Sequence, residues 1–350
     1  MMMSNALFVL TLGAFLMVVL TWGFMTLPQE RWQIMATLPR KKDRWGQWVG
    51  VNLTYYGVLT ASAGTLAILA FLMLMASINV PRGASLLAVA LVLACCLPAA
   101  KLVARAVEGK PHTSSVAAAA FAGMLIVPLV VWLMNTLAGA EVSRLPIAPT
   151  IAAIAIAYIL GEGLGRLACI SFGCCYGKPL KECSPFLQRL FARSAFIFLG
   201  ATKKAVYEGQ LAGEPLIPIQ AITSILYCLT ATVASFLFLR GHFLAALNLS
   251  ITVSQLWRIF SETLRADFRG FTRISAYQKM GGVAVMYILI IALFIPAPLA
   301  VPVVGLGLGL LWHPGLLISL QLSWLLFFVI FGRSTVTRST LSFQLVQESL

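Results

Sequence analysis

Glu162 and Arg166 stand four residues apart in GEGLGRLACISFGCCYGKP (161–179), at the end of an apolar run long enough to cross a bilayer. An ionised side chain in hydrocarbon costs about 2.5 kcal/mol or more, so those that persist usually face a bundle interior and mark a functional site. The acid-first spacing sets both charges on one helix face in the favourable orientation for an ion pair. A second cluster lies in WRIFSETLRAD (257–267), where a continuing helix carries Arg258, Glu262 and Arg265 on one face. Guanidinium matches phosphate geometry in bidentate fashion, so Arg166 and Arg258 would clamp a phosphodiester from two directions. Glu162 and Glu262 serve as orienters of the arginines as readily as bases, because a carboxylate beside arginine has a lowered pKa. The competing assignment is a structural ion-pair network that locks helices together.

The cysteines offer a second chemistry. Cys174 and Cys175 are candidate thiolate nucleophiles, since nearby Arg166 and Lys178 would lower a thiol pKa; small apolar filler is the competing reading. A zinc site from Cys169, Cys174, Cys175 and Cys183 lacks paired C-x-x-C spacing, so neither metal nor cofactor is expected. Seven cysteines, an odd number, form no secreted disulfide framework. His242 and His313 are isolated and read as loop or interface residues.

What must position these groups is a bundle of membrane spans. With 350 residues, 60% of them hydrophobic and only 10% charged, the chain has too little polar surface for a soluble globule. Apolar runs bounded by charge or proline give about nine spans on the ~20-residue criterion, at 6–27, 51–77, 84–100, 116–138, 148–168, 216–238, 243–262, 280–297 and 314–332. The first lacks a basic leader and a cleavage site and is expected to be retained. Segment 169–215 is long enough for a small extramembrane head with a helix near Pro185 to Leu199. Thr335 to Val346 alternates apolar and polar residues, as a C-terminal tail strand in need of a partner. The expected fold is therefore an all-α polytopic membrane protein of about nine transmembrane helices with that head and tail strand.

Alternation across the membrane gathers 28–50, 101–115, 169–215, 263–279 and the tail on one face, with 20 of the 25 Lys and Arg against three on the other. The positive-inside rule assigns the basic face to the cytoplasm. The net charge of +14 points to anionic lipid, not nucleic acid, because the basic residues sit in short loops and no nucleic-acid-binding motif occurs. Trp32, Trp45 and Trp48 fit an interfacial belt. No internal repeat supports a solute transporter.

GRLACISFGCCYG (165–177) resembles the G-R-I-G-N-F-I-N-G-E-L-W-G signature of the prolipoprotein diacylglyceryl transferase family, retaining Gly165, Arg166, Gly173 and Gly177. It is closer still to the GRxGCFxxGCCYGxP variant of the family's relatives. Three further segments follow in the family's order. TYYG (54–57) with Tyr56 resembles R-W-Y-G, PIQ (218–220) with Gln220 resembles H-P-T-Q, and Arg258 with Glu262 resembles R-x-x-x-E. The likeness spans a core at 51–297, leaving 1–50 as an extra N-terminal helix with a basic loop and 298–350 as an extra helix and tail. The signature's two asparagines and glutamate are Cys169, Phe172 and Cys174 here, and the Tyr-Glu after H-P-T-Q is Ile222-Thr223. An alanine run at Val116 to Ala119 stands where the family has F-H-G-G, with His112 upstream as a substitute for its histidine.

The resemblance implies a multi-pass transferase of the bacterial cytoplasmic (inner) membrane, acting in lipoprotein or lipid biosynthesis. It would move the diacylglyceryl or a related group of phosphatidylglycerol, or another anionic glycerophospholipid, to an acceptor. Glycerol phosphate would leave. Arg166, Arg258 and Glu262 are the expected catalytic residues, with Tyr56, Glu162, Gly165, Gly173, Gly177, Gln220 and Arg265 binding substrate. The acceptor stays open, a lipoprotein cysteine being one candidate. Loss of the signature's polar groups keeps a second class in view, a non-catalytic phospholipid-binding or lipid-transport protein. The side stays open too, because the family's catalytic groups face outward and basic residues around an anionic-lipid site would mimic a cytoplasmic signal.

Overall fold

The computed structural model describes residues 4–109, 115–137, 145–268, 274–296, 298 and 300–349; His112 lies outside them. Among the described residues nine helices are long and apolar enough to span a bilayer. They are α1 (Asn5–Thr26), α2 (Tyr55–Ala76), α3 (Arg82–Glu108), α4 (Val116–Leu137), α5 (Ile147–Phe172), α8 (Ile219–Leu239), α9 (Phe243–Ser261), α10 (Ala276–Phe294) and α12 (Pro314–Phe331). Short helices α6 (Pro185–Phe191), α7 (Lys204–Tyr207) and α11 (Val304–Gly309) lie between them. The chain is an all-α polytopic membrane protein. Helices dominate because hydrocarbon offers no partner to a backbone amide, and a helix satisfies its own.

The helix carrying Glu162 and Arg166 is the hub of the bundle. The most apolar stretch of α5 is 78% buried, against 17% for α1 and α12 at the periphery. Its small residues explain this, since Ala148, Ala152, Ala155 and Ala168 are almost wholly enclosed. In lipid, where apolar burial drives little, close backbone approach through small side chains holds helices together. A methyl group built at Gly161 would stand 2.8 Å from Ala67 on α2, and one at Gly163 would stand 2.9 Å from the Cys228 sulfur on α8.

One end of the bundle carries two small sheets. Strands β1 (Ile34–Lys42), β2 (Trp48–Thr54) and β5 (Arg333–Leu341) form an antiparallel sheet in the order β1-β2-β5. The tail strand thus begins and ends earlier than the alternation of 335–346 indicates, and its partner is β2. The first basic loop is a β-hairpin. Its turn is closed by Asp43, whose Oδ1 accepts from the Trp45 and Gln47 amides at 2.8 and 2.9 Å. Strands β3 (Phe196–Ile197) and β4 (Pro215–Leu216) pair within the head. The head helix stops at Phe191, well short of Leu199, because the chain turns extended to bury Phe196 and Phe198.

Hydrogen bonds join these segments at that end. Gln33 Nε2 donates to Thr202 O at 2.6 Å, and the Lys178 amide to Leu264 O at 3.0 Å. Segments 28–50, 169–215, 263–268 and the tail therefore share one side of the bundle, as the alternation of the spans assigns them.

Candidate functional site

Glu162 lies at the centre of the buried charge. It accepts from Arg166, one turn on along α5, and from Arg258 Nη2 on α9 at 2.7 Å (Oε1) and 2.6 Å (Oε2). Side-chain exposures are 3% for Glu162, 13% for Arg166 and 11% for Arg258. Arg258 Nη2 also donates to the Tyr158 hydroxyl at 3.0 Å, which accepts from Gln255 Nε2 at 3.2 Å. One carboxylate against two guanidiniums leaves an excess positive charge in a dry setting. Arg166 Nε and Arg258 Nε are buried without a hydrogen-bond partner among the described residues, as is Gln220 Oε1. Unmet polar atoms at such a position are expensive, and an anion accepting from the two guanidiniums would relieve the two donors among them.

The second cluster is arranged otherwise than helical spacing dictates. Helix α9 ends at Ser261, Glu262–Leu264 tighten into a 3₁₀ turn, and Arg265 is extended. Arg265 therefore leaves the helix face, whereas Glu262, whose amide still donates to Arg258 O, stays one turn beyond Arg258. Glu262 accepts from Ser275 Oγ, and among the described ion pairs none joins it to Arg258. Arg265 pairs with Asp267 at 2.7 Å through Nε and 2.8 Å through Nη2. Its backbone bridges Gly177, and the Ala266 amide donates to Tyr176 O at 3.1 Å.

The signature glycines have separate tasks. Gly173 (φ 71°) ends α5, so that the Gly173 amide bonds to Ile170 O and the Cys174 amide to Cys169 O at 3.0 Å. This reversal folds Cys174 and Cys175 back over Cys169, and the three Sγ atoms lie within 4.8 Å of one another. Gly177 lies where residues 176–178 meet both Arg265 and the Ile217 backbone, leaving no room for a side chain. At Gly165 an added methyl would meet no atom within 4 Å, so that position is open beside Arg166. Gln220, in the first turn of α8, donates through Nε2 to Cys174 O at 2.8 Å. Tyr56 packs edge-on against Phe172 with ring centroids 5.8 Å apart. Hydrogen bonding to Cys169 and Cys175, together with burial, pushes the Cys174 thiol well above its ordinary pKa, which opposes a role as a nucleophile.

Tyr158, Gln255 and Asp267 join the site without having been singled out in the sequence. The signal for two of them is helical spacing, since Tyr158 precedes Glu162 by one turn and Gln255 precedes Arg258 by three residues. Lys203 has no such signal. Fully enclosed, its Nζ donates to Leu27 O, Gln29 O and Ser171 O at 3.3, 3.1 and 2.7 Å, tying the chain after α1 to the end of α5. Burial draws its pKa down to about 8, against the opposing pull of Glu30.

An apolar cavity of about 260 Å³ lies between α2, α3, α4, α5, α9, α10 and α12. Tyr158 and Gly161 form part of its wall, so the charged node borders a space lined by alkyl and aromatic groups. The chain matches no protein-family model, no curated protein and no solved structure. Its functional reading therefore rests on the site itself and on the motif residues.

Proposed function

We propose that this protein is a transferase of the bacterial cytoplasmic membrane that takes the diacylglyceryl or a related group from phosphatidylglycerol or another anionic glycerophospholipid. The observation that carries the reading is the pair of largely enclosed guanidiniums sharing the Glu162 carboxylate, each with a buried Nε–H that has no partner among the described residues. A phosphodiester would accept from both and offset the excess charge. The leaving glycerol phosphate gathers negative charge as its ester bond breaks, and fixed cations in a dry site stabilise that charge with little reorganisation. The adjoining apolar cavity suits an acyl chain, and the open space at Gly165 suits a headgroup. The four motif segments resembling the diacylglyceryl transferase family support the same donor. The acceptor, with a lipoprotein thiol as the candidate the resemblance suggests, would bond the diacylglyceryl carbon through sulfur and lose its proton.

A second reading, a phospholipid-binding or lipid-moving protein without turnover, is favoured by one observation. Both candidate bases are engaged, Glu162 by two arginines and Glu262 by Ser275. The deciding experiment supplies purified protein with labelled phosphatidylglycerol in a mixed membrane extract. Glycerol phosphate release that disappears in Arg258→Ala supports the transferase; stable donor binding with no product selects the binding protein.

A further inference from the structure

We propose that Cys169, Cys174 and Cys175 form a three-thiolate site for a soft, thiophilic metal ion. Their Sγ atoms lie within 4.8 Å of one another. Metal–sulfur bonds of about 2.3 Å put three sulfur ligands about 3.8–4.0 Å apart, so small side-chain rotations close the set. Residues five and six apart on a helix would point away from a common centre. Here the backbone reversal at Gly173 brings them together.

The backbone that carries the thiols is held in place before any ligand arrives. Cys175 occupies the left-handed region at φ 55°, a conformation uncommon for a residue with a side chain. Such conformations persist where surrounding contacts over-determine them, and they cluster at functional sites. The contacts are the Cys174 amide on Cys169 O, Gln220 on Cys174 O, the Ala205 amide on Gly173 O and the Lys178 amide on Leu264 O. Charge favours the same assignment. Arg166, which shares the single Glu162 carboxylate with Arg258, lies within electrostatic reach of Cys169 and Cys175 and would offset the negative charge of a divalent ion on three thiolates.

Cys183 donates instead to Pro179 O at 3.4 Å, and Cys228 packs on α8 against Gly163, so neither completes the set. Three sulfurs suffice for copper(I), whereas zinc(II) would add water or an anion as a fourth ligand. Each sulfur–metal bond that forms replaces an S–H bond and releases its proton to solvent, so binding tightens as pH rises. The inference does not depend on the transferase reading.

The test uses the whole protein in detergent, reduced with a phosphine, stripped with chelator and titrated with cadmium(II). The expected result is a sulfur-to-cadmium charge-transfer band that saturates at one equivalent, unchanged in the Cys95→Ser/Cys96→Ser variant. In Cys174→Ser the apparent affinity should fall by at least about 100-fold, at or beyond the upper end of the loss typical of an outer-sphere partner. On the unaltered protein, zinc(II) should slow alkylation of Cys169, Cys174 and Cys175 but not of exposed Cys95, as read by peptide mass spectrometry. Absence of the band, a band undiminished in Cys174→Ser, or no protection by zinc would overturn the proposal.

Discussion

Arg258 Nη2 on α9 reaches both carboxylate oxygens of Glu162 on α5, at 2.7 and 2.6 Å, while Arg166 shares the same carboxylate from the next turn. A single acid thus serves two cations from different helices, and substitutions of the acid and of Arg166 should differ in kind.

Glu162→Gln removes the shared charge and leaves two guanidiniums facing each other, which should lower stability by about 3–5 kcal/mol. Arg166→Ala keeps the bond between α5 and α9 and should be distinctly milder. Thermal denaturation of the detergent-solubilised variants measures this order. Equal losses would mean that Glu162 is not the hub.

Lys203 predicts a pH dependence. Its pKa near 8 lies below the usual value of 10.5, so between the two the unfolded chain holds the proton more tightly than the folded one. Stability should be lowest below pH 8 and rise by up to about 3 kcal/mol as pH climbs to 10.5. A flat profile in wild type, or the same rise in Lys203→Met, would rule out this assignment.

Asn52 ties the three-stranded sheet together. Its Oδ1 accepts from Thr37 and Ser339, both at 2.8 Å, and its Nδ2 donates to Thr337 at 3.1 Å. Asn52→Ala should destabilise the sheet by about 1–3 kcal/mol. Deleting 333–350 should expose the β2 edge as well. Proteolysis within the 34–54 hairpin is expected to accelerate in both variants.

Gly173→Ala forces a side chain into the left-handed region, at about 1–2 kcal/mol, with its methyl 3.2 Å from Lys203 Cβ. A lowered melting temperature together with faster Cys174 alkylation is the expected outcome. Unchanged alkylation would show that the thiols hold their arrangement without the turn.

The spans are readable from the amino-acid sequence, because a bilayer requires each crossing segment to be apolar and to satisfy its own backbone. The sequence also displayed Glu162 and Arg166 as neighbours, since i and i+4 on one helix face is a local relation that needs no fold. Arg258 and Glu262 have the same spacing, yet among the described ion pairs none joins them, because Ser275 engages the acid and Arg258 turns to Glu162. The hairpin at 34–54 was illegible. Pro39 interrupts its first strand, most of that strand is exposed, and β5 lies almost 300 residues away. That Glu162 serves an arginine from another helix, that Lys203 fastens the end of α5, and that three cysteines meet emerges only from the packed chain. Each of these relations depends on where a helix stops and what then packs against it, a competition among distant segments that no local pattern encodes.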